Sequence, residues 1–404
     1  MSTSLLYHGF DVRGYDYVST KFEKGTVIFA LRPKPFELRC SSCGSGAVIR
    51  RGTVVRFFRS LPIGRKPVWF KLAVQRVHCF ACGLVRQVKL GFADPRRSYT
   101  WAFERYALEL SRMMTIRDTA RHLGVSWDVI KDIQKRYLKR RFSRPKLRGL
   151  RLIAIDEISI GKGQRYLTVV LDLKSGAVVF IGDGKGADAL QPFWRRLHAS
   201  RAQIRAVAMD MSPAYIHAVL SHLPKAKIVF DRFHIIKMFN DKLSDLRRKW
   251  FHEVNDVLQK RVIKGTRWLL LKNPENLDAA RDEPRRLREA LELNQPLATA
   301  YYLKEELRQL WNQPDKNTAE AFLESWTSRA RASGIAILVR MANTLLLQQS
   351  GILAYYDYPI STGPLEGTNN KIKTLQKQAY GFRDMDFFKL KIMALHKAKY
   401  ALVG

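Results

Sequence analysis

The chain has 404 residues, 46% of them hydrophobic, enough apolar material for two or three domains and too much for wholesale disorder. Lys and Arg number 71 against 36 Asp and Glu, a net charge of +35, which favours polyanionic partners over neutral or cationic ones and makes their binding salt-dependent. No apolar run approaches the ~20 residues of a bilayer span, no basic amphipathic helix dominates, and the N-terminus has no leader-like apolar stretch; the expectation is a cytoplasmic, nucleoid-associated protein with reduced thiols and no membrane partner.

Residues 1–95 read as a β-rich module. Thr26 to Leu31, Val54 to Phe58 and Val68 to Val77 have strand composition, with a turn signalled at Pro62-Ile63-Gly64. All four cysteines lie here in two C-x2-C pairs, Cys40 with Cys43 and Cys79 with Cys82, each pair followed by Gly. Such a turn aims two thiolates at one point, and two of them complete a tetrahedral four-sulfur site for structural Zn2+. The 35 residues between the pairs are a long gap, but they read as a hairpin that returns the chain to its start. Bound iron and unconnected thiol pairs are the competing readings, and His78 is an alternative ligand.

Residues 96–149 read as helices followed by a basic linker from Arg141 to Gly149. From Thr115 to Ile133 the pattern is that of a helix-turn-helix. Ala120 sits at the close approach, Gly124 makes the turn, Ser126 caps the second helix, and Val129, Ile130 and Ile133 face inward. Trp127, Lys131 and Lys135 recur every four residues, so they share a face that can enter a major groove. A plain helical hairpin is the competing reading. Beside a zinc module and so large a positive charge, the expected partner is double-stranded DNA.

Residues 150–240 change character. Strands are expected at Leu152 to Ile155, Tyr166 to Leu173, Ala177 to Ile181, Ile204 to Met209 and Ala226 to Phe230, with helices at 187–199 and 213–223. Three hairpin-linked strands followed by alternating units make an α/β fold with a ribonuclease H-like mixed sheet. Asp156 and Asp210 each stand where an apolar run stops, on strands that are neighbours in such a sheet. Glu157 points to the opposite face, and Asp172 serves a turn. Asp231 and His234 are auxiliary candidates: Asp231 as a helix cap, His234 as a proton shuttle or phosphate contact.

Residues 241–355 read as an all-helical insertion. Of its Trp250, Trp268, Trp311 and Trp326, Trp268 lies in the basic stretch with Lys260, Arg261 and Lys264 and is the first choice to stack on a DNA base; a core aromatic is the alternative for each. Residues 356–404 carry a helix from Pro364 with Glu366 in its first turn. Asn370 and Lys373 share the Glu366 face and are candidate DNA-backbone contacts. Three acids gathered on a basic protein suit two divalent cations, Mg2+ or Mn2+, and phosphoryl transfer on nucleic acid.

The double C-x2-C module, the helix-turn-helix, the segments IAIDEISIGKGQRYLTVVLDL, VAMDMSPAY and FDRFHIIK, and the C-terminal EGTNNKIKTLQKQAYGF resemble those of bacterial insertion-sequence transposases of the ISL-three family, which carry a DDE catalytic domain. The resemblance runs from about residue 36 to 395. It implies Asp156, Asp210 and Glu366 as the metal-binding triad, a helical insertion before the Glu, and binding to terminal inverted repeats followed by strand cleavage and transfer in a homodimeric synaptic complex. One departure is Gln376-Lys377-Gln378, where the family often has a basic pair. A non-enzymatic sequence-specific DNA-binding regulator and a ribonuclease H-like nuclease or resolvase are the rival functions.

Overall fold

The computed structural model describes residues 4–161, 163 and 165–396. The chain forms two compact units, Met1–Arg141 and Phe142–Gly404, each built of a mixed sheet with helices.

The first unit begins with a short helix, α1 (Leu5–Phe10), and five strands: β1 (Tyr15–Glu23), β2 (Thr26–Pro33), β3 (Val48–Ile63), β4 (Lys66–Cys79) and β5 (Val85–Gln87). The sheet order is β1-β2-β4-β3, with β5 pairing to β4; β2 and β4 are parallel and the other pairs antiparallel. Alternate apolar residues point one way, so Val27, Phe29 and Leu31 meet Phe70, Leu72 and Phe92 in one core. The strand expected at Val54 to Phe58 is far longer. Antiparallel pairing with β4, from Val48↔Cys79 to Ile63↔Lys66, carries the polar residues along with the apolar ones.

Three helices follow: α2 (Trp101–Leu110), α3 (Ile116–Leu123) and α4 (Trp127–Phe142). Thr100 and Thr115 cap the first two, accepting from the Phe103 and Asp118 amides. Gly124 ends α3 in the left-handed region, φ 61°. Phe103, Ala107, Ala120, Leu123, Ile130 and Ile133 form the shared core. Arg136 of α4 fixes the arrangement through Asp94 and Glu104, 3.0 and 2.8 Å away. The buried Arg59 of β3 donates to the Leu123 carbonyl at 2.8 Å, tying the long hairpin to the end of α3.

The second unit opens with β6 (Leu152–Gly161), β7 (Arg165–Asp172) and β8 (Ala177–Asp183), then α5 (Gln191–Ser200), β9 (Ala206–Met209), α6 (Pro213–His222), β10 (Lys227–Phe230) and α7 (Arg232–Glu253). The sheet order is β10-β9-β6-β7-β8. The first three strands form an antiparallel meander, and β9 and β10 run parallel to β6. All four residues of β9 are buried, as expected of a parallel strand covered on both faces.

Beyond α7 the described chain is helical: α8 (Val257–Gly265), α9 (Arg267–Leu271), α10 (Glu283–Glu292), α11 (Gln295–Leu307), α12 (Lys316–Ala332), α13 (Ala336–Leu347), α14 (Gln349–Leu353), α15 (Gly363–Gln378) and α16 (Met385–Met393). One core joins α7 to α14 and reaches Phe230 of β10. There Gly351 makes a close approach that only glycine allows: a Cβ would stand 2.3 Å from the Phe230 ring. Among the described residues no helix is long and apolar enough to cross a membrane.

Candidate functional site

The first strand of the second unit corrects one expectation. Asp156 does not close it. β6 continues to Gly161, because its hairpin partner β7 keeps pairing as far as Gly161↔Arg165. What stops near Asp156 is the other neighbour: β9 pairs only through Ala154↔Ala208. Asp156 is therefore a mid-strand residue where one side of its strand opens.

The registers decide what shares that opening. β6 pairs with β9 as Leu152↔Ala206, Ile153↔Val207 and Ala154↔Ala208, and β9 pairs with β10 as far as Met209↔Phe230. Carried two residues past the last β6–β9 pair and one past the last β9–β10 pair, these registers set Asp156, Asp210 and Asp231 abreast across β6, β9 and β10. The Asp231 amide continues the ladder by donating to the Met209 carbonyl at 3.0 Å. Residues abreast in parallel strands face the same side. Glu157 lies on the opposite side, against Tyr215.

The three carboxylates have different surroundings. Burial pushes the Asp156 carboxyl above its ordinary range; the Glu157 amide and His234 pull it down, while Asp210 and Glu157 add to the rise. Its Oδ1 accepts from the Glu157 amide at 2.7 Å, and its Oδ2 from Asn369 Nδ2 at 2.8 Å. Asp210 is half-buried and accepts from the Ser212 amide at 3.0 Å, ahead of α6. Asp231 is buried, caps α7 by accepting from the Phe233 amide, and also accepts from the Thr362 hydroxyl. His234 lies in the first turn of α7, half-buried.

The other wall is α15. Its buried face carries Leu365, Thr368, Asn369 and Ile372, while Glu366, Asn370 and Lys373 are exposed. Glu366 stands in the first turn, one turn before Asn369. The oxygens of Asp156, Asp210 and Glu366 do not all come within 4.8 Å of one another; among the described residues only the four cysteines form so tight a group of potential ligands. The donors nevertheless fit a hard divalent cation. Asp156 is a carboxylate buried beside a second carboxylate, and Asn369 Oδ1 is a buried acceptor with no partner. Both features favour an incoming cation or its water. On the sequence Asn369 reads only as another candidate DNA-backbone contact of the Glu366 helix; its bond to Asp156 spans 213 residues.

The cysteine cluster is compact. The β3–β4 hairpin brings Val48 opposite Cys79, which delivers the second C-x2-C turn to the first. Each turn closes in the same way, with Gly44 donating to Cys40 and Gly83 to Cys79 at 2.9 and 2.8 Å. Both glycines have positive φ, 80° and 66°, which side-chain-bearing residues rarely adopt. The Sγ atoms of Cys40 and Cys82 stand 3.7 Å apart, and those of Cys43 and Cys79 3.6 Å. These are no disulfides; they approach the edge of a tetrahedron with ~2.3 Å metal–sulfur bonds, roughly 3.8 Å. The amides of Cys43 and Ser42 pull the Cys40 thiol down to about 6, while, against the pull of the Leu84 amide, burial and the neighbouring sulfurs push Cys82 up to about 11. His78 is outside the cluster, edge-on to Phe80.

On α4, Trp127 is 53% exposed and the Lys131 ammonium lies 5.5 Å from its ring centre, with half-buried Lys135 one turn on. Beside the first cysteine turn is a cavity of about 530 Å³ whose lining includes Arg56, Arg76, Arg86, Lys89 and Arg96 against the single acid Asp94. In the second unit Trp250, Trp311 and Trp326 are buried in the helical core. Trp268 is 65% exposed, with the Arg267 guanidinium 4.8 Å from its ring.

Comparison with known proteins places this chain. The family described as "Transposase" matches residues 153–392, and the "Helix-turn-helix domain of transposase family ISL3" matches residues 88–138. The chain belongs to the ISL3 transposase family. The transposase is 34% identical over 374 residues to that for insertion sequence element IS1001 of Bordetella parapertussis, covering 91% of each. It is 29% identical over 385 residues to that for IS1557 of Mycobacterium tuberculosis, covering 88% of this chain and 85% of the relative. The Drosophila P element transposase in its strand transfer complex aligns over 74% of this chain and 92% of that one at 13% identity and TM-score 0.39, too loose a likeness to bear on the fold. The protein is thus a DNA transposase of an insertion sequence, an enzyme of DNA cleavage and strand transfer whose family uses divalent metal.

Proposed function

We propose that this transposase cuts and joins DNA by two-metal-ion phosphoryl transfer at a ribonuclease H-like sheet edge, with Asp156, Asp210 and Glu366 holding Mg2+ or Mn2+. The observation that carries this reading is the register of β6 against β9, which sets Asp156 beside Asp210 where the sheet opens. The strand order β10-β9-β6-β7-β8 and the α15 helix packed across the same edge support it. Bound there, the two cations would activate the attacking oxygen and neutralise the charge that builds on the scissile phosphate. The chain's own work is positioning. Asp156 is held by Asn369 and the Glu157 amide and Asp210 by the Ser212 amide, and Glu366 would join them from the exposed first turn of α15. His234 can carry a proton or meet a phosphate beside Asp156. Asn370 and Lys373, exposed on the Glu366 helix, suit the DNA backbone.

We assign end recognition to a β-rich module over residues 1–95 with Zn2+ on Cys40, Cys43, Cys79 and Cys82, and to a helix-turn-helix presenting Trp127, Lys131 and Lys135, which with its linker spans 96–149. The basic cavity beside the cysteines suits DNA phosphates. The catalytic part spans residues 150–240 and 356–404, interrupted by the helical insertion at 241–355. Its exposed Trp268 suits stacking on an unpaired base near the cut. Two copies would hold the two ends of the element in a synaptic dimer.

The test uses purified full-length protein and oligonucleotides carrying the element's terminal inverted repeat. Wild type with Mg2+ should nick the end and join the freed 3′-OH to target DNA, and Asp156→Asn should bind the end equally but do neither. Binding with no metal-dependent cleavage by wild type would favour a regulator; cleavage that never proceeds to joining would favour a nuclease.

A further inference from the structure

The Glu366 helix is attached to the sheet by three polar side chains at a fixed interval. Thr362, the residue before α15, donates its hydroxyl to Asp231 Oδ2. Asn369 Nδ2 donates to Asp156 Oδ2 at 2.8 Å, and Gln376 Nε2 donates to the Ile160 carbonyl at 2.5 Å. The spacing is seven residues each time. At ~100° per residue, seven residues fall about 20° short of two full turns, so the three donors lie along one stripe. Two rungs end on carboxylates of the row across β6, β9 and β10; the third ends on the backbone of β6 beyond it.

We propose that this stripe is a positioning ladder: it sets the register of α15 against the carboxylate edge, with Thr362, Asn369 and Asp231 as positioning residues for the metal site. The inference rests on the metal-site reading above and adds how the site is assembled. Glu366 follows Thr362 by four residues and precedes Asn369 by three, about 40° and 60° around the helix, so the first two rungs fix where its carboxylate arrives. Asp231 is the pivot. It closes the start of α7, extends the β10 pairing and receives the first rung, which occupies the very carboxylate that would otherwise compete with Asp156 and Asp210 for a cation.

The experiment is a Mn2+ titration of full-length protein, reading free Mn2+ by electron paramagnetic resonance, with melting and end binding measured in parallel. Thr362→Val and Asn369→Leu keep side-chain volume and remove a rung. Each should weaken Mn2+ binding by about tenfold, the usual cost of losing a group that orients a ligand, with end binding within about twofold. Thr362→Ser should restore wild-type binding, which distinguishes a lost hydroxyl from a fold that has failed. Asp231→Asn keeps an acceptor for the Phe233 amide and a partner for Thr362, so it should stay within about threefold of wild type. Wild-type Mn2+ affinity in both Thr362→Val and Asn369→Leu would overturn the ladder. Loss of Mn2+ in Asp231→Asn as complete as in Asp156→Asn would make Asp231 a ligand and overturn its assignment here. Wild-type binding in Asp156→Asn and Asp210→Asn would instead remove the metal-site reading itself, and the ladder's purpose with it.

Discussion

The two proposed ligand sets of this transposase are assembled in opposite ways. The four cysteines sit on two turns joined by one hairpin, and their sulfurs are already within 4.8 Å of each other. The proposed carboxylates come from β6, the residue after β9, and a helix far later in the chain, and they are not gathered so closely. A closed, sulfur-rich group suits a permanent structural ion. An open, oxygen-rich group with a buried carboxylate whose pKa is raised suits ions that arrive with substrate and exchange ligands during reaction.

Substitutions should separate the two. The largest effect is expected at the carboxylate edge: Asp156→Asn or Asp210→Asn should lower end cleavage by at least about a thousandfold while end binding holds, since a two-metal site fails as a unit. Cleavage within tenfold of wild type in a gel assay would end the comparison. Next, Cys79→Ser should lose bound zinc by atomic absorption and weaken end binding by about a hundredfold or more, because metal affinity here is folding energy; an unchanged footprint on the end would show the cysteines to be dispensable.

Smaller effects sharpen the contrast. Trp268→Ala should slow cleavage or joining by about tenfold or more, the worth of one base stack, with no change in melting, whereas Trp326→Ala should destabilise by about 3–5 kcal/mol, since that ring is buried and donates to the Leu303 carbonyl. Equal melting losses in the two variants would put Trp268 back in the core. Gly351→Ala should cost about 1–3 kcal/mol by pressing on Phe230 next to Asp231. Finally, Asp156→Asn should raise the melting temperature of metal-free protein at neutral pH by a few degrees. The raised Asp156 carboxyl stabilises the fold only where it is protonated, and that contribution is lost as pH rises through its folded value. Equal melting of the two proteins at neutral pH would remove the buried charge as a source of instability.

Much of this arrangement is legible from residue order alone. Short, mostly apolar runs locate β6 to β10, and the turn at Gly64 explains how distant cysteines meet. The end of β6 is not legible, because a strand stops where its partners stop, and its two partners stop at different places. The Asn369–Asp156 and Thr362–Asp231 contacts are equally invisible: each depends on a pairing across more than 130 residues, and Asn and Thr at such positions look ordinarily solvated. Trp268 stands apart from the other three by exposure, which only the packing of α8 to α13 decides.

The separation of Asp156 from Asn369 has a consequence during synthesis. The DNA-reading unit ends by residue 141 and folds around its own core, so it emerges from the ribosome early. The carboxylate edge lacks its Asn369 contact until 213 residues beyond Asp156 have been translated. A prematurely terminated product would therefore seize element ends without severing them, and a frameshift or stop late in the gene would turn the mobilising protein into a dominant brake on its own spread.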